Sequence, residues 1–334
     1  MTTVFRDSEK ERYKEQKTKF LSNSATVNGI YKGKQYDFCI ADGFSEENLF
    51  KDIRSDAVSY FKQRGIAWHD GIEKRQKPSN HLCCSQSCCV NFLYPLNNKP
   101  ELVKDVFRQI YPELAEPLAI DLDGLLPHGK TPYISFEWIG ADDYLGESKR
   151  KQMQRTRGAN FTSADFIIRF KRNDGKTQVV LGEWKYTEEY GRTDLGIEAR
   201  KKNYKLAFER DGGVFIKPSV QLYNGLFFDP FYQLMRLQLL AQEMEANHEM
   251  GADIVSVLHI SPNANTKFRT HVTSPYLEKN YPDKGVMEIW AGLVQTGKFK
   301  SIAVEELLKV INQAAGKQYS SWVDYLNMRY GWIK

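Results

Sequence analysis

The chain has no run of the roughly 18 consecutive apolar residues that a membrane-spanning helix requires. Its opening segment, Met1 to Lys10, lacks the apolar stretch of a secretory signal. Internal repeats, low-complexity tracts and an obvious linker are also missing. Cysteine is scarce and unevenly placed: of five, Cys83, Cys84, Cys88 and Cys89 crowd together while Cys39 stands apart. That odd count argues against a disulfide framework. Together these absences point to a soluble cytoplasmic protein with no membrane partner. A large excess of one charge sign is lacking too, since 47 Lys+Arg against 42 Asp+Glu leave a net charge of +5. The protein is mildly basic and not histone-like.

What is present is apolar material, with 334 residues of which 41% are hydrophobic and 13% aromatic. Such a chain buries a substantial core, as one decorated domain or two ordinary ones, and gross disorder is excluded. On a helix His81, Cys84 and Cys88 share a face, which raises a zinc site. There is no second cluster and no Cys-x2-Cys loop spacing, so small side chains packed in a buried helix are the preferred reading.

The first third reads as mainly helical. Residues 1 to 20 are charge-dense and predict a solvated helical or mobile extension. Leu49, Ile53, Ala57, Val58, Tyr60 and Phe61 keep helical spacing from Glu46 to Arg64, with Gly65 as the stop. Further helices are expected from Asn80 or His81 towards Pro95, and from Glu101 to Ile110. From Thr131 the texture turns β-prone, with Tyr133, Ile134, Phe136, Trp138 and Ile139. Residues 163 to 171 alternate, and Asn173-Asp174-Gly175 turns them into a second strand over Lys176 to Thr187. Asp229 is expected to cap a helix over Pro230 to Met250. A buried strand follows at Ile254, then helices at Val304 to Ala315 and Ser320 to Tyr330 close over the sheet. One α/β domain results, with a helical extension over 1–79, a core over 80–275 and a helical addition over 276–334.

The chemistry concentrates in Thr162-Ser-Ala-Asp165 and Gly182-Glu183-Trp184-Lys185-Tyr186. On a strand Glu183 and Lys185 share a face and Trp184 points away. If Gly175 takes the left-handed position of a three-residue loop, Arg172 pairs with Lys176 and Asp165 falls opposite Glu183. A two-residue loop would turn Asp165 to the wrong face. Directly opposed β-carbons lie about 5 Å apart, a separation at which two carboxylates grip one divalent ion. Without a cation, two buried like charges repel. Lys185 beside such an ion would position or deprotonate a water, with its pKa expected to fall there.

Asp165 at a strand start, a hairpin, then Glu183-x-Lys185 resembles the signature of the PD-(D/E)XK nuclease superfamily. The helix, meander, helix and strand order over about half the chain is similar to its restriction-endonuclease-like core, a mixed central β-sheet flanked by helices. The wording Thr-Ser-Ala-Asp and Gly-Glu-Trp-Lys-Tyr-Thr-Glu is closest to a group of bacterial members. The resemblance implies that Asp165 and Glu183 bind Mg2+ or Mn2+, that the Trp184 carbonyl helps, and that Lys185 serves catalysis. Ala164 stands where the name has Pro. The first core helix offers Gln86 where many members have an acid, which puts a second metal in doubt.

The bare pattern recurs at Glu15-x-Lys17, Glu147-x-Lys149 and Asp174-x-Lys176. Only the copy at 183 follows a β-prone run with a matched upstream Asp. Its bland alternative is a surface salt bridge. Glu137 and Gln86 are accessory candidates, against an ordinary ion pair and a backbone hydrogen bond. Gln233, Arg236 and Gln238 on the long helix resemble polar positions of the superfamily, or belong to a solvated face. Lys149, Arg150, Lys151, Arg155 and Arg157 form a basic stretch suited to phosphates, and Arg200, Lys201, Lys202 and Lys205 a second one. The resulting reading is a Mg2+-dependent endonuclease whose partner is nucleic acid, DNA foremost, with a homodimer as one route to cutting both strands. The alternative is a catalytically inactive nucleic-acid-binding or protein-interaction member of the same fold.

Overall fold

The computed structural model describes residues 4–148, 154–159 and 161–331. Among them the helices of eight residues or more are α1 (Phe5–Gln16), α2 (Arg54–Gln63), α3 (Ser85–Leu93), α4 (Pro100–Phe107), α5 (Glu198–Phe208), α6 (Phe231–Ala246), α7 (Val286–Leu293), α8 (Val304–Ala314) and α9 (Ser320–Arg329). The strands are β1 (Gly29–Tyr31), β2 (Lys34–Tyr36), β3 (Leu114–Pro117), β4 (Ile134–Trp138), β5 (Ala164–Arg172), β6 (Thr177–Trp184), β7 (Ile254–Ser261) and β8 (Phe299–Ala303). β1 and β2 form a separate hairpin, and the other six build one mixed sheet. The fold is therefore the expected helix-flanked mixed α/β sheet.

β5 organises that sheet. β3 and β4 lie along one of its edges, paired to its two ends, and β6 lies along the other, all antiparallel. β6, β7 and β8 are parallel. Parallel neighbours need crossovers, supplied here by α5 and α6 between β6 and β7 and by α7 between β7 and β8. The β5–β6 turn follows local chemistry. Gly175 takes φ +82°, the Arg172 N–H donates to Lys176 O at 2.8 Å, and the Asp174 carboxylate accepts from Lys176 N at 3.1 Å. Phe166 then pairs with Gly182, so one further step sets Asp165 opposite Glu183.

Each sheet face buries its own core. One holds Phe92, Phe107, Phe166, Ile168, Val180, Trp184, Leu307 and Trp322, under α3, α4, α8 and α9. The other holds Ile167, Val179, Leu181, Tyr204, Leu237, Val257 and Trp290, under α5, α6 and α7. Buried on both faces, β6 carries the apolar run Val179-Val180-Leu181 between Thr177-Gln178 and Glu183.

Several expectations need correction. The opening helix is docked: Glu9 is 2% exposed, pairs with Arg12 at 2.7 Å and accepts from the Tyr186 hydroxyl, while Arg12 donates to Arg329 O at 2.7 Å. Both chain ends thus grip the residue after Lys185. The helix expected from Glu46 breaks into two short 3-10 turns before α2, and α3 starts at Ser85 rather than near His81. Asp229 caps nothing, since one of its buried carboxylate oxygens has no partner and α6 begins without a side-chain cap. Strands β3 and β8 and the β1–β2 hairpin were not expected; their runs are too short for a period-2 pattern to register.

Candidate active site

Sheet pairing assembles a polar row across five strands. The β4–β5 register sets Phe136 against Phe166 and Trp138 against Ala164, so Glu137 between them faces Asp165. The row continues through Glu183 to His259 and Ser301. Glu137 and Glu183 are each 6% exposed, so their charges need compensation from inside the protein. Glu137 is also a non-glycine residue at φ +53°. Such a conformation costs about 1–2 kcal/mol and persists only when its surroundings enforce it. Arg157 does so, donating to the carbonyls of Phe136 and Glu137 on either side of the kink.

The row opens into a cleft of about 260 Å³ whose walls come from α3, the ends of β4, β5 and β6, and α6. Glu183 Oε1 lies 2.7 Å from Lys185 Nζ. Asp165 Oδ2 accepts the Trp184 N–H at 2.6 Å. Gln86 Nε2 donates to Glu137 Oε1 at 2.6 Å, and Ser163 Oγ to Oε2 at 2.9 Å. Gln86 also receives the His69 N–H at 2.7 Å, tying the segment before α3 to the site. The Trp184 carbonyl accepts from Ser85 Oγ at 3.2 Å and keeps its second lone pair.

Electrostatics follow from three carboxylates around one ammonium. Burial, and then Glu183, push the Asp165 carboxyl well above its ordinary range, with Lys185 acting against them. Burial raises Glu137 as well, opposed first by the hydrogen bond from Gln86. Burial alone would lower Lys185, but Glu183, Tyr190, Asp165 and Glu188 outweigh it and hold the ammonium protonated.

The expected centre, Asp165, Glu183, Lys185 and the Trp184 carbonyl, comes together with both accessory candidates, Glu137 and Gln86. Of the basic stretch, the described members Arg155 and Arg157 do not line the cleft. Lys149, Arg150 and Lys151 lie outside the described residues. Arg155 donates to the carbonyls of Ile139, Gly140 and Ala141. All three side-chain nitrogens of Arg157 are engaged by Asp123, Ser135, Phe136 and Glu137, so these two arginines brace the fold. Gln238 is fully buried and bonds Lys298 O rather than facing the cleft, whereas Gln233 and Arg236 line it. Sequence reasoning missed Ser163 and His69, which carry no spacing signal. It also underrated Glu147, which accepts from Thr162 N–H and from the hydroxyls of Thr162 and Tyr204 at 2.7 to 2.8 Å. The buried thiols of Cys88 and Cys89 pack in the sheet core, and the His81 ring accepts the Cys83 N–H.

Oxygen donors dominate the cleft, and among the described residues no three His, Cys, Asp or Glu side chains form a ready-made metal cluster. Two carboxylates and a carbonyl with room for water suit a hard cation that keeps part of its hydration, as Mg2+ does. Burial and then Glu183 raise the Asp165 pKa, and a cation beside the pair would oppose both. These residues fit such an ion.

Comparison with known proteins is consistent with this geometry. No curated protein and no solved structure matches the chain. A family model does, over residues 7–331. The chain belongs to the family described as Restriction Endonuclease associating with ARP.

Proposed function

We propose that this protein is a metal-dependent endonuclease of the PD-(D/E)XK type that hydrolyses phosphodiester bonds, DNA foremost, with Asp165, Glu183 and the Trp184 carbonyl as ligands of Mg2+ or Mn2+. The observation that carries this reading is the convergence of Asp165, Glu183 and Lys185 in one cleft of a chain whose family is described as a restriction endonuclease. The cation supplies positive charge and Lewis acidity at the two carboxylates. Lys185 Nζ, held 2.7 Å from Glu183, orients the attacking water and offsets charge growing on the phosphate. Water adds across one P–O bond, leaving a phosphate monoester and a hydroxyl. Gln86 and Ser163 brace Glu137, and the Trp184 N–H holds Asp165 in the cleft. Two copies acting together would cut both strands of a duplex.

The test is cleavage of supercoiled plasmid in Mg2+ or Mn2+ by the natural protein and by Lys185→Ala and Asp165→Ala. Loss of at least a hundredfold in both variants is expected. Persistent cleavage by folded Lys185→Ala refutes its role. A second reading, a protein-interaction member of the fold, has the close Glu183–Lys185 ion pair in its favour. Absence of both cleavage and metal binding would select it.

A further inference from the structure

A buried guanidinium is stable only when its donors are met. The two arginines nearest the site differ in this respect. Arg157 has all three nitrogens engaged, two of them by Asp123 and Ser135 at 2.6 and 2.8 Å. Arg236, on α6, lines the same cleft as Asp165, Glu183 and Lys185, and its buried Nε has no partner. Its nearest carboxylate, Glu147, stands 3.9 Å away, beyond hydrogen-bond reach. Glu147 is already taken by Thr162 and Tyr204, and the Arg236 contact to Thr162 Oγ1, at 3.5 Å, is at the limit of a hydrogen bond. The guanidinium lies over the Tyr232 ring, 4.8 Å from its centroid, a cation–π contact that helps hold it in place.

We propose that Arg236 is a phosphate-binding residue, gripping a non-bridging oxygen of a nucleic-acid phosphate that lies in the cleft beside the acidic centre. The proposal rests on the nuclease reading above and names the group that draws the anion in. Three carboxylates repel a phosphodiester, and Lys185 is held by Glu183, so an approaching phosphate needs a cation whose donors are open. A planar guanidinium whose Nε–H is unmet and whose Nη1 contact is weak is the side chain that matches phosphate geometry. The contact with Tyr232 helps hold it in place, so less freedom is lost on binding. The phosphate role expected of Arg157 thus passes to a helix distant in sequence.

The test is fluorescence anisotropy of a labelled DNA duplex in EDTA, where no cleavage can contribute, repeated over a range of KCl concentrations. Arg236→Gln is expected to weaken binding about tenfold. It should also flatten the slope of log affinity against log salt by about 0.9, the signature of one lost phosphate contact. Arg236→Lys should keep the slope and recover only part of the affinity, since a point charge lacks the fork. An unchanged slope and affinity in folded Arg236→Gln overturns the proposal, as does the natural protein's failure to bind duplex. If Arg236→Gln does not fold, Arg236→Lys decides: wild-type affinity overturns the proposal, and weaker binding at an unchanged slope supports it. Arg236-dependent binding without metal-stimulated cleavage would sustain the phosphate contact and defeat the catalytic reading, so the two fail separately.

Discussion

Asp165 accepts a 2.6 Å hydrogen bond from the backbone N–H of Trp184, which fastens the first carboxylate of the site to the strand that carries the second. The bond keeps two buried acids side by side against their mutual repulsion.

Asp165→Asn removes one charge and retains an acceptor for that N–H. Because the carboxyl of Asp165 is pushed up by burial and by Glu183, its ionised form is disfavoured in the folded protein. The variant should be more stable without metal by on the order of 1 kcal/mol, and should bind Mn2+ at least tenfold more weakly. Urea unfolding and calorimetric titration read the two effects. A destabilised variant with intact metal affinity would contradict both.

Gly182 precedes Glu183 and pairs with Phe166 across the hairpin. A β-carbon at Gly182 would fall 2.0 Å from Phe166 Cε1, so the ring crosses the space a side chain would need. Gly182→Ala should cost about 1–3 kcal/mol through overpacking and should displace Glu183. Chemical denaturation and metal titration of this variant check the prediction, and wild-type values in both would reject it.

Arg157 joins Asp123 to the kinked end of β4. Arg157→Gln leaves the 1%-exposed Asp123 carboxylate with one fewer counter-charge and releases the left-handed backbone at Glu137. A loss of about 3–5 kcal/mol is expected, the usual cost of breaking a buried ion pair. The salt dependence of DNA binding should not change, in contrast to Arg236→Gln. Flattening of the slope in Arg157→Gln would return this residue to the nucleic-acid surface.

His81 provides a stability switch away from the cleft. Burial lowers its pKa from 6.5 to about 4, with Lys10, Lys32 and Arg6 adding to the shift and Asp70 opposing it. As pH falls below 6.5 the unfolded chain takes up a proton that the folded chain refuses, so stability is full above that pH and is lost on the way to pH 4. At about 1.4 kcal/mol per unit the loss approaches about 3 kcal/mol. His81→Gln should flatten this part of the stability profile; an identical slope in the variant would disprove the assignment.

The hairpin that aligns Asp165 with Glu183 was legible in the sequence because its information is local. The sequence left a two- and a three-residue loop open; the structure takes the three-residue loop, with Gly175 at φ +82°, and side-chain alternation carries that choice along both strands to Asp165 and Glu183. Lys185 follows by a two-residue offset. The amphipathic spacing of α2, α4, α8 and α9 and the apolar run of β7 were readable for the same reason. Glu137 and Arg236 were named as candidates from the sequence, but what places them in the cleft was not legible, and neither was the docking of α1. Glu137 faces Asp165 through a pairing between strands separated by a long connection, and no neighbouring residue encodes that register. Arg236 enters the cleft through the packing of α6 on the sheet, while Arg157, beside Asp165 in sequence, is drawn inward by Asp123 and Ser135. The docking of α1 on Tyr186 depends on a buried Glu9–Arg12 pair that, in sequence, looks like any solvated helix face. Turn chemistry and strand period therefore aligned the acidic pair Asp165 and Glu183, and long-range packing and charge compensation decided which polar residues surround it.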